Sequence, residues 1–110
     1  SPDVVRALLA TEVINKEPVG NMVLPLMLNK DIAKRVYYFT EIINMKGQSL
    51  YHQWFRDEQL IYKRKIIMLG NRWRVSTSKL IPYSKTGMWT VRLVGKQGII
   101  LNEIKFEVIN

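Results

Sequence analysis

Polar and apolar side chains alternate most regularly in the second half of the chain. The alternation runs through Arg72–Ser78, Met88–Val94 and Asn102–Val108. Because successive side chains of a strand point to opposite faces, this period of two indicates three half-buried β-strands. The residues expected to face the interior are Trp73, Val75, Thr77, Trp89, Val91, Leu93, Ile104, Phe106 and Val108.

Four earlier segments are rich in β-branched and aromatic residues and also predict strands. They are Val4–Ile14, Lys34–Ile43, Ser49–Arg56 and Gln59–Leu69. The last two are separated only by Asp57-Glu58, which predicts a β-hairpin. Short strands with turn residues between them are typical of an all-β fold. We therefore expect an immunoglobulin-like antiparallel β-sandwich of about seven strands.

Two segments near the N-terminus are ambiguous. Ser1-Pro2-Asp3 would also open a helix, and the apolar spacing within Val4–Ile14 fits a helix and a strand equally well. Pro18 and Pro25 exclude a central strand over Val19–Asn29. We expect an edge strand or a long connection there.

Chain length and residue content limit what the protein can be. The 110 residues suit one domain over 1–110, and Ser1-Pro2-Asp3 resembles the cut edge of a longer protein. The absence of cysteine excludes disulfides, cysteine-bound zinc and thiol catalysis. With one histidine and scattered carboxylates, the sequence predicts no metal site, and no cofactor motif is present. No apolar run approaches the roughly 20 residues of a spanning helix, so we expect membrane contact only through a segment outside this chain.

Basic residues exceed acidic residues, which gives a net charge of +8. Such a surplus attracts polyanions, although most of these residues are spread along the chain. The one tight cluster is Lys63–Lys65. Four residues on one face of a predicted strand, called here the polar ladder, are Arg72, Arg74, Ser76 and Ser78.

The polar ladder and the lysine cluster supply the candidate binding residues. If their two strands pair, Lys63 and Lys65 lie beside the polar ladder, and arginines with hydroxyls there can hold phosphate, sulfate or carboxylate. A solvated strand face explains the same pattern without a ligand. The candidate ligand-binding residues are Lys63, Lys65, Arg72, Arg74, Ser76, Ser78 and Tyr62.

The aromatic residues divide into core and surface candidates. Trp54, Trp73 and Trp89 fall on apolar faces, so we expect them in the core rather than in a stacking platform. Three tyrosines are predicted to point outward and are better platform candidates: Tyr51, Tyr62 and Tyr83.

His52 and Glu41 are the residues that most resemble catalytic groups. His52 shares a strand face with Trp54, and we expect it to pack beside that indole rather than act as a base. Glu41 shares a strand face with Tyr37, Phe39 and Ile43. If that face is the core, its carboxylate is drawn inward and needs a cation, so we hypothesise a structural ion pair. The candidate partners of Glu41 are Arg72, Arg74 and His52. No nucleophile accompanies these groups, and the sequence predicts no enzyme.

Five short pieces occur in the order and spacing of a known family. They are Glu17-Pro18-Val19, Tyr38–Glu41, Gly47-Gln48 followed by His52–Trp54, Arg72–Arg74 with Ser76 and Ser78, and Gly87–Val91. From about Val5 to Val108 the chain resembles the bacterial domain of unknown function 2914. The resemblance implies a β-sandwich at the end of larger bacterial proteins, often beyond a membrane-spanning helix, with a strand over Val4–Ile14. It implies no established activity. The matching residues are structural markers of the core only: Glu41, His52, Trp54, Trp73 and Trp89.

These features favour a non-catalytic interaction module outside the cytoplasm, in the periplasm or at the cell surface. It would bind a protein or a cell-envelope glycan. The alternative is salt-sensitive binding of a polyanion, either nucleic acid or an acidic glycan, through a basic sheet face. An enzyme that uses His52 and Glu41 ranks last, because no motif for a nucleophile, metal or cofactor accompanies them.

Overall fold

The computed structural model describes all residues from Ser1 to Asn110 and contains nine β-strands. No α-helix is present, and a single 3-10 turn spans Lys96–Gly98. Accordingly, no helix has the length and apolarity needed to cross a membrane. The strands are β1 (Val4–Ile14), β2 (Glu17–Asn21), β3 (Leu26–Met27), β4 (Lys34–Ile43), β5 (Ser49–Arg56), β6 (Gln59–Ile67), β7 (Arg72–Ile81), β8 (Gly87–Val94) and β9 (Ile100–Ile109).

The strands form two sheets that pack as a sandwich. The four-stranded sheet has the order β2-β1-β4-β7, and the five-stranded sheet has the order β3-β9-β8-β5-β6. All neighbouring strands are antiparallel except β3 and β9, which pair in parallel over two residues. The predicted all-β sandwich is confirmed.

The seven predicted strands correspond to β1 and β4–β9, and their arrangement is immunoglobulin-like. Numbered one to seven along the chain, they have the orders 1-2-5 and 7-6-3-4. A constant-type immunoglobulin domain has the orders 1-2-5-4 and 7-6-3. The fold therefore differs in one respect, because its fourth strand, β6, has moved to the edge of the other sheet.

Both ambiguous N-terminal segments form strands. Val4–Ile14 is β1, and it pairs with β4 through contacts such as Leu9 opposite Tyr38, which excludes the helix. The segment Val19–Asn29 contains most of β2 and all of β3, so each sheet receives one short edge strand from it. Edge positions are the ones that proline tolerates in a sheet.

Two hairpins have tight two-residue turns. Asp57 and Glu58 join β5 to β6 with φ of 48° and 68°, which confirms the predicted hairpin. Asn15 and Lys16 join β1 to β2 with φ of 51° and 62°. A positive φ at both central residues is the requirement of the type I′ turn, whose twist matches that of paired strands.

The inward face of β4 was predicted wrongly. Val36, Tyr38 and Ile42 belong to the central core cluster, whereas Phe39 and Glu41 lie on the outer face of the four-stranded sheet. Phe39 is nevertheless only 1% exposed, and the Arg6 guanidinium lies 4.9 Å from its ring centroid. Since β4 lies between β1 and β7 and is covered on both faces, alternation does not reveal which of its faces is the core.

Two of the three tryptophans lie fully inside the sandwich. Trp54 and Trp89 are buried, and both belong to the central core cluster. Trp73 is half-buried and packs against the edge of that cluster, with the Lys16 ammonium 6.0 Å from its ring centroid. All three indoles thus lie on the face that alternation predicts.

Candidate ligand-binding cleft

His52 lies at the centre of a polar cluster between the two sheets. Its Nε2 atom is 2.8 Å from the Thr40 hydroxyl, and its Nδ1 atom is 2.8 Å from the Thr77 hydroxyl. Trp54 donates its indole N–H to the same Thr77 oxygen at 2.8 Å. This cluster joins β5 of one sheet to β4 and β7 of the other, and no buried side-chain nitrogen or oxygen is left without a partner.

The surroundings of His52 keep its ring neutral and away from solvent. Burial lowers the pKa of His52 to about 3, and the positive charge of Arg64 contributes in the same direction. The residue is 0% exposed, and the Tyr38 ring lies 4.5 Å from the imidazole. A base in this position would have no access to a substrate.

Glu41 is held between two arginines on the outer face of the four-stranded sheet. Its carboxylate accepts hydrogen bonds from Nε of Arg6 and Nε of Arg72, each at 2.7 Å. These bonds, first that from Arg6, hold the pKa of Glu41 below its usual value. Among the candidate partners, Arg72 forms the pair, whereas Arg74 binds Glu17 and His52 binds the two threonines.

Three of the four residues of the polar ladder are engaged in side-chain contacts within the protein. Arg72 is paired with Glu41, Arg74 lies 3.5 Å from Glu17, and Ser78 accepts a hydrogen bond from Arg35 at 2.9 Å. Lys63 and Lys65 do not lie beside the polar ladder, because the strand pairing that this required does not form. β6 pairs with β5 and β7 pairs with β4, so the two groups lie on different sheets.

Tyr62 also lies elsewhere than predicted. It is half-buried and packs against the core, with the Lys79 ammonium 5.0 Å from its ring centroid. Tyr62 therefore bridges the open side of the sandwich between β6 and β7 instead of pointing outward. Of the other two predicted platform residues, Tyr83 is exposed in the loop after β7, and Tyr51 lies in the cleft described next.

The largest cavity is an open cleft of about 600 Å³ at one end of the five-stranded sheet. Two turns form its rim: the β4–β5 turn and the β8–β9 turn. Tyr51 and Gln53 of β5 and Lys63 of β6 lie between them. The lining residues, defining the cleft, are Gly47, Gln48, Ser49, Tyr51, Gln53, Lys63, Val94, Gly95, Lys96, Gln97 and Gly98.

The lining of the cleft is polar and cationic. Three glutamines and Ser49 offer both donors and acceptors, and no acidic residue is present. Lys63 and Lys96 are the two cations, and neither forms an ion pair. The Lys63 ammonium lies 5.2 Å from the Tyr51 ring centroid, and Lys65 is the cross-strand partner of Tyr51. The cleft thus combines one aromatic ring with amides and positive charge.

Gly47 and Gly98 shape the two turns at the rim. Their φ angles are 84° and 76°, a backbone region that residues with a side chain rarely adopt. A Cβ atom at either position would meet no other atom within 4 Å. Glycine is therefore needed at these positions because of the positive φ, and not because a side chain would clash. The space beside both turns is open.

A known protein family matches the part of the chain that contains the cleft. The profile of the family described as "Protein of unknown function (DUF2914)" matches residues 47–108, more than half of the sequence. The chain belongs to the DUF2914 family. Two of the pieces that carry the predicted resemblance, Glu17–Val19 and Tyr38–Glu41, lie outside the matched residues. A search of curated proteins finds no match.

Every residue that lines the cleft lies within the DUF2914 match. Sequence reasoning identified Lys63 as a binding candidate and Tyr51 as a platform residue, but it missed Gln48, Gln53 and Lys96. Both glycine turns are visible in the sequence as turns. That they meet at one end of a sheet follows only from the strand order, which places β5 beside β8.

The DUF2914 domain has no cluster of three or more histidine, cysteine, aspartate or glutamate side chains that would hold a metal ion. Glu41 and His52 lie in separate environments, one on an outer sheet face and one between the sheets. The two residues therefore do not share one site, and neither lines the cleft.

Proposed function

We propose that this domain is a non-catalytic, extracytoplasmic binding module and that its cleft holds a cell-envelope glycan with acidic groups. The observation that carries the proposal is the lining of the cleft, which places Tyr51 beside three glutamines and two unpaired lysines. Of the two ligand classes that the sequence leaves open, a protein and a glycan, this lining favours the glycan.

The chemistry of the lining suits a saccharide. Sugar hydroxyls both donate and accept hydrogen bonds, and Gln48, Gln53 and Gln97 offer both roles. The apolar face of a sugar ring stacks on an aromatic ring, which Tyr51 supplies. Lys63 and Lys96 add favourable interactions with carboxylate or phosphate groups on the glycan.

Two observations support a role without catalysis. His52 is enclosed between the sheets with both ring nitrogens hydrogen-bonded. Glu41 is held by two arginines. Neither side chain faces the cleft, so the titratable groups that catalysis would use are committed to the fold.

Calorimetric titration with solubilised peptidoglycan fragments and with alginate, an acidic polysaccharide, tests the proposal. We expect saturable binding that Tyr51→Ala and Gln53→Ala each weaken about tenfold, the equivalent of one or two hydrogen bonds. Ser76→Ala on the other sheet is the matched control and leaves the affinity unchanged. The proposal is contradicted if the folded domain binds neither glycan. It is also contradicted if Tyr51→Ala leaves the affinity for both glycans unchanged.

The alternative is general polyanion binding, for which the charge distribution favours the outer face of β6. Lys63 and Lys65 project from the outer face of β6 and have no carboxylate partner. Titration with heparin and with DNA at two salt concentrations separates the alternatives. Binding through phosphate or sulfate charges falls steeply with salt and tolerates Tyr51→Ala. Glycan recognition in the cleft requires Tyr51.

A further inference from the structure

Three apolar side chains protrude from the segment between β2 and β4. Val23 is 80% exposed, Leu24 is 44% exposed and Met27 is 48% exposed. These three residues are called here the apolar tip. Val23 and Met27 line the same groove, so the apolar tip is a local apolar surface rather than a single exposed side chain, and such surfaces mark contact sites.

Cations lie directly beside the apolar tip. A groove of about 460 Å³ is lined by Val23 and Met27 together with Lys34 and Arg35. The Lys34 ammonium donates to the Met27 carbonyl at 2.6 Å, which holds the charge next to the tip. Arg35 donates to the Ser78 hydroxyl, and neither cation has a carboxylate partner.

Basic residues outnumber acidic residues in the surrounding segment. Between residues 18 and 40 the only acidic residue is Asp31, whereas Lys30, Lys34 and Arg35 are basic. An apolar protrusion beside two cations without carboxylate partners complements a surface that is apolar at depth and anionic at its boundary. A bilayer that contains anionic lipids has this structure.

We infer that this end of the sandwich docks on an anionic lipid bilayer. Val23, Leu24 and Met27 enter the boundary between headgroups and acyl chains, and Lys34 and Arg35 contact the lipid phosphates. This departs from the expectation that a membrane is contacted only through a segment outside this chain. A stable protein interface buries about 800 Å² on each partner and favours aromatic side chains, whereas the tip is three residues long and contains none.

The inference does not depend on the proposed glycan site. The tip lies beside β3, which pairs with the C-terminal end of β9, opposite Gly87 at the start of β8. The cleft includes Val94, at the other end of β8. The two surfaces share no residue and lie at opposite ends of the molecule.

Sedimentation with vesicles tests the inference. We expect the domain to sediment with vesicles of phosphatidylglycerol and phosphatidylcholine and to stay in solution with phosphatidylcholine alone. The double variants Val23→Asp with Leu24→Asp, and Lys34→Glu with Arg35→Glu, each reduce partitioning more than tenfold. Leu69→Asp, which charges a side chain that is 67% exposed at the other end, is the matched control and changes partitioning less than twofold.

Insertion is measured separately with Val23→Trp. The added indole emission shifts to shorter wavelength with the anionic vesicles and is quenched by lipids brominated on their acyl chains. Absence of sedimentation with anionic vesicles overturns the inference. So does loss through the Lys34 and Arg35 changes with no loss through the Val23 and Leu24 changes, because binding would then be electrostatic without insertion.

Discussion

His52 is a polar residue that the buried interior accommodates through hydrogen bonds to both ring nitrogens. A neutral imidazole has one donor and one acceptor, and the hydroxyls of Thr40 and Thr77 can fill either role. The indole N–H of Trp54 uses the remaining capacity of Thr77. An imidazolium would offer two donors and a charge in the same enclosed space, so the folded protein strongly favours the neutral ring.

The buried state of His52 predicts a loss of stability in mild acid. Its pKa falls from 6.5 to about 3 on folding, so between these values only the unfolded chain takes up the proton. The stabilisation is complete above pH 6.5 and is lost as the pH falls. Between pH 7 and pH 5 the free energy of unfolding should decrease by about 2 kcal/mol in urea titrations. His52→Gln should remove this dependence, and an unchanged slope in that variant would contradict the assignment.

Glu41 predicts a different acid response, at lower pH. Its pKa is lowered from 4.5, so the two arginine bonds stabilise the fold fully above pH 4.5 and are lost as the pH falls below it. Glu41→Gln should cost about 1–2 kcal/mol at pH 7, since Arg6 and Arg72 are exposed enough to regain water.

Chemical denaturation at pH 7 measures the Glu41 effect against a matched variant. Glu103→Gln breaks the pair with Arg92, in which each side chain is about one-third exposed, and should cost less than about 0.5 kcal/mol. Equal losses in the two variants would show that the Glu41 pair stabilises the protein no more than an ordinary surface contact.

At the scale of strands, the sequence predicts which segments are strands better than it predicts their neighbours. All seven predicted strands form, because alternation and turn residues are local signals. The condition that β6 pairs with β7 is not met, because β6 pairs with β5, the strand before it, whereas β7 pairs with β4 in the opposite sheet. Sequential strands are neighbours in only about two-thirds of cases, and nothing in Lys63–Lys65 shows which edge it joins.

The same limit applies to β4 and to the cleft. Both faces of β4 carry apolar residues, so its β-branched and aromatic content identifies the strand but leaves Tyr38 and Phe39 equally suited to the core. The cleft depends on two turns almost 50 residues apart, Gly47–Ser49 and Gly95–Gly98. Their contact is a consequence of sheet order, which requires long-range pairing that a single sequence does not show.

The cluster between the sheets predicts a large effect for a small change. Thr77→Val keeps the shape of the side chain but leaves the Trp54 N–H and one His52 nitrogen without a partner. Since an unsatisfied buried polar group costs about 1–3 kcal/mol, the free energy of unfolding should decrease by about 2–3 kcal/mol. Ser76→Ala, one residue earlier and on the outer face, should change it by less than about 0.5 kcal/mol. Similar losses of unfolding free energy in the two variants would contradict a role of Thr77 in joining the sheets.

Over the whole molecule, the cations that produce the net charge of +8 differ in whether a carboxylate neutralises them. Glu41 and Glu17 neutralise much of the charge of Arg6, Arg72 and Arg74 on the four-stranded sheet, although this face is rich in arginine. The unpaired cations described above lie at the cleft and beside the apolar tip. Along β8 these two ends are roughly 23 Å apart, at about 3.3 Å per residue. The molecule therefore presents cations without carboxylate partners at both ends.

This separation predicts that one domain binds a glycan and a bilayer at the same time, because distant sites without shared residues act additively. A fluorescent alginate oligosaccharide should sediment with phosphatidylglycerol vesicles only when the domain is present. Tyr51→Ala should leave the domain in the pellet and release the saccharide, whereas Val23→Asp with Leu24→Asp should release both. Displacement of the domain from the vesicles by the saccharide would contradict the prediction, since the two ligands would then compete for one surface.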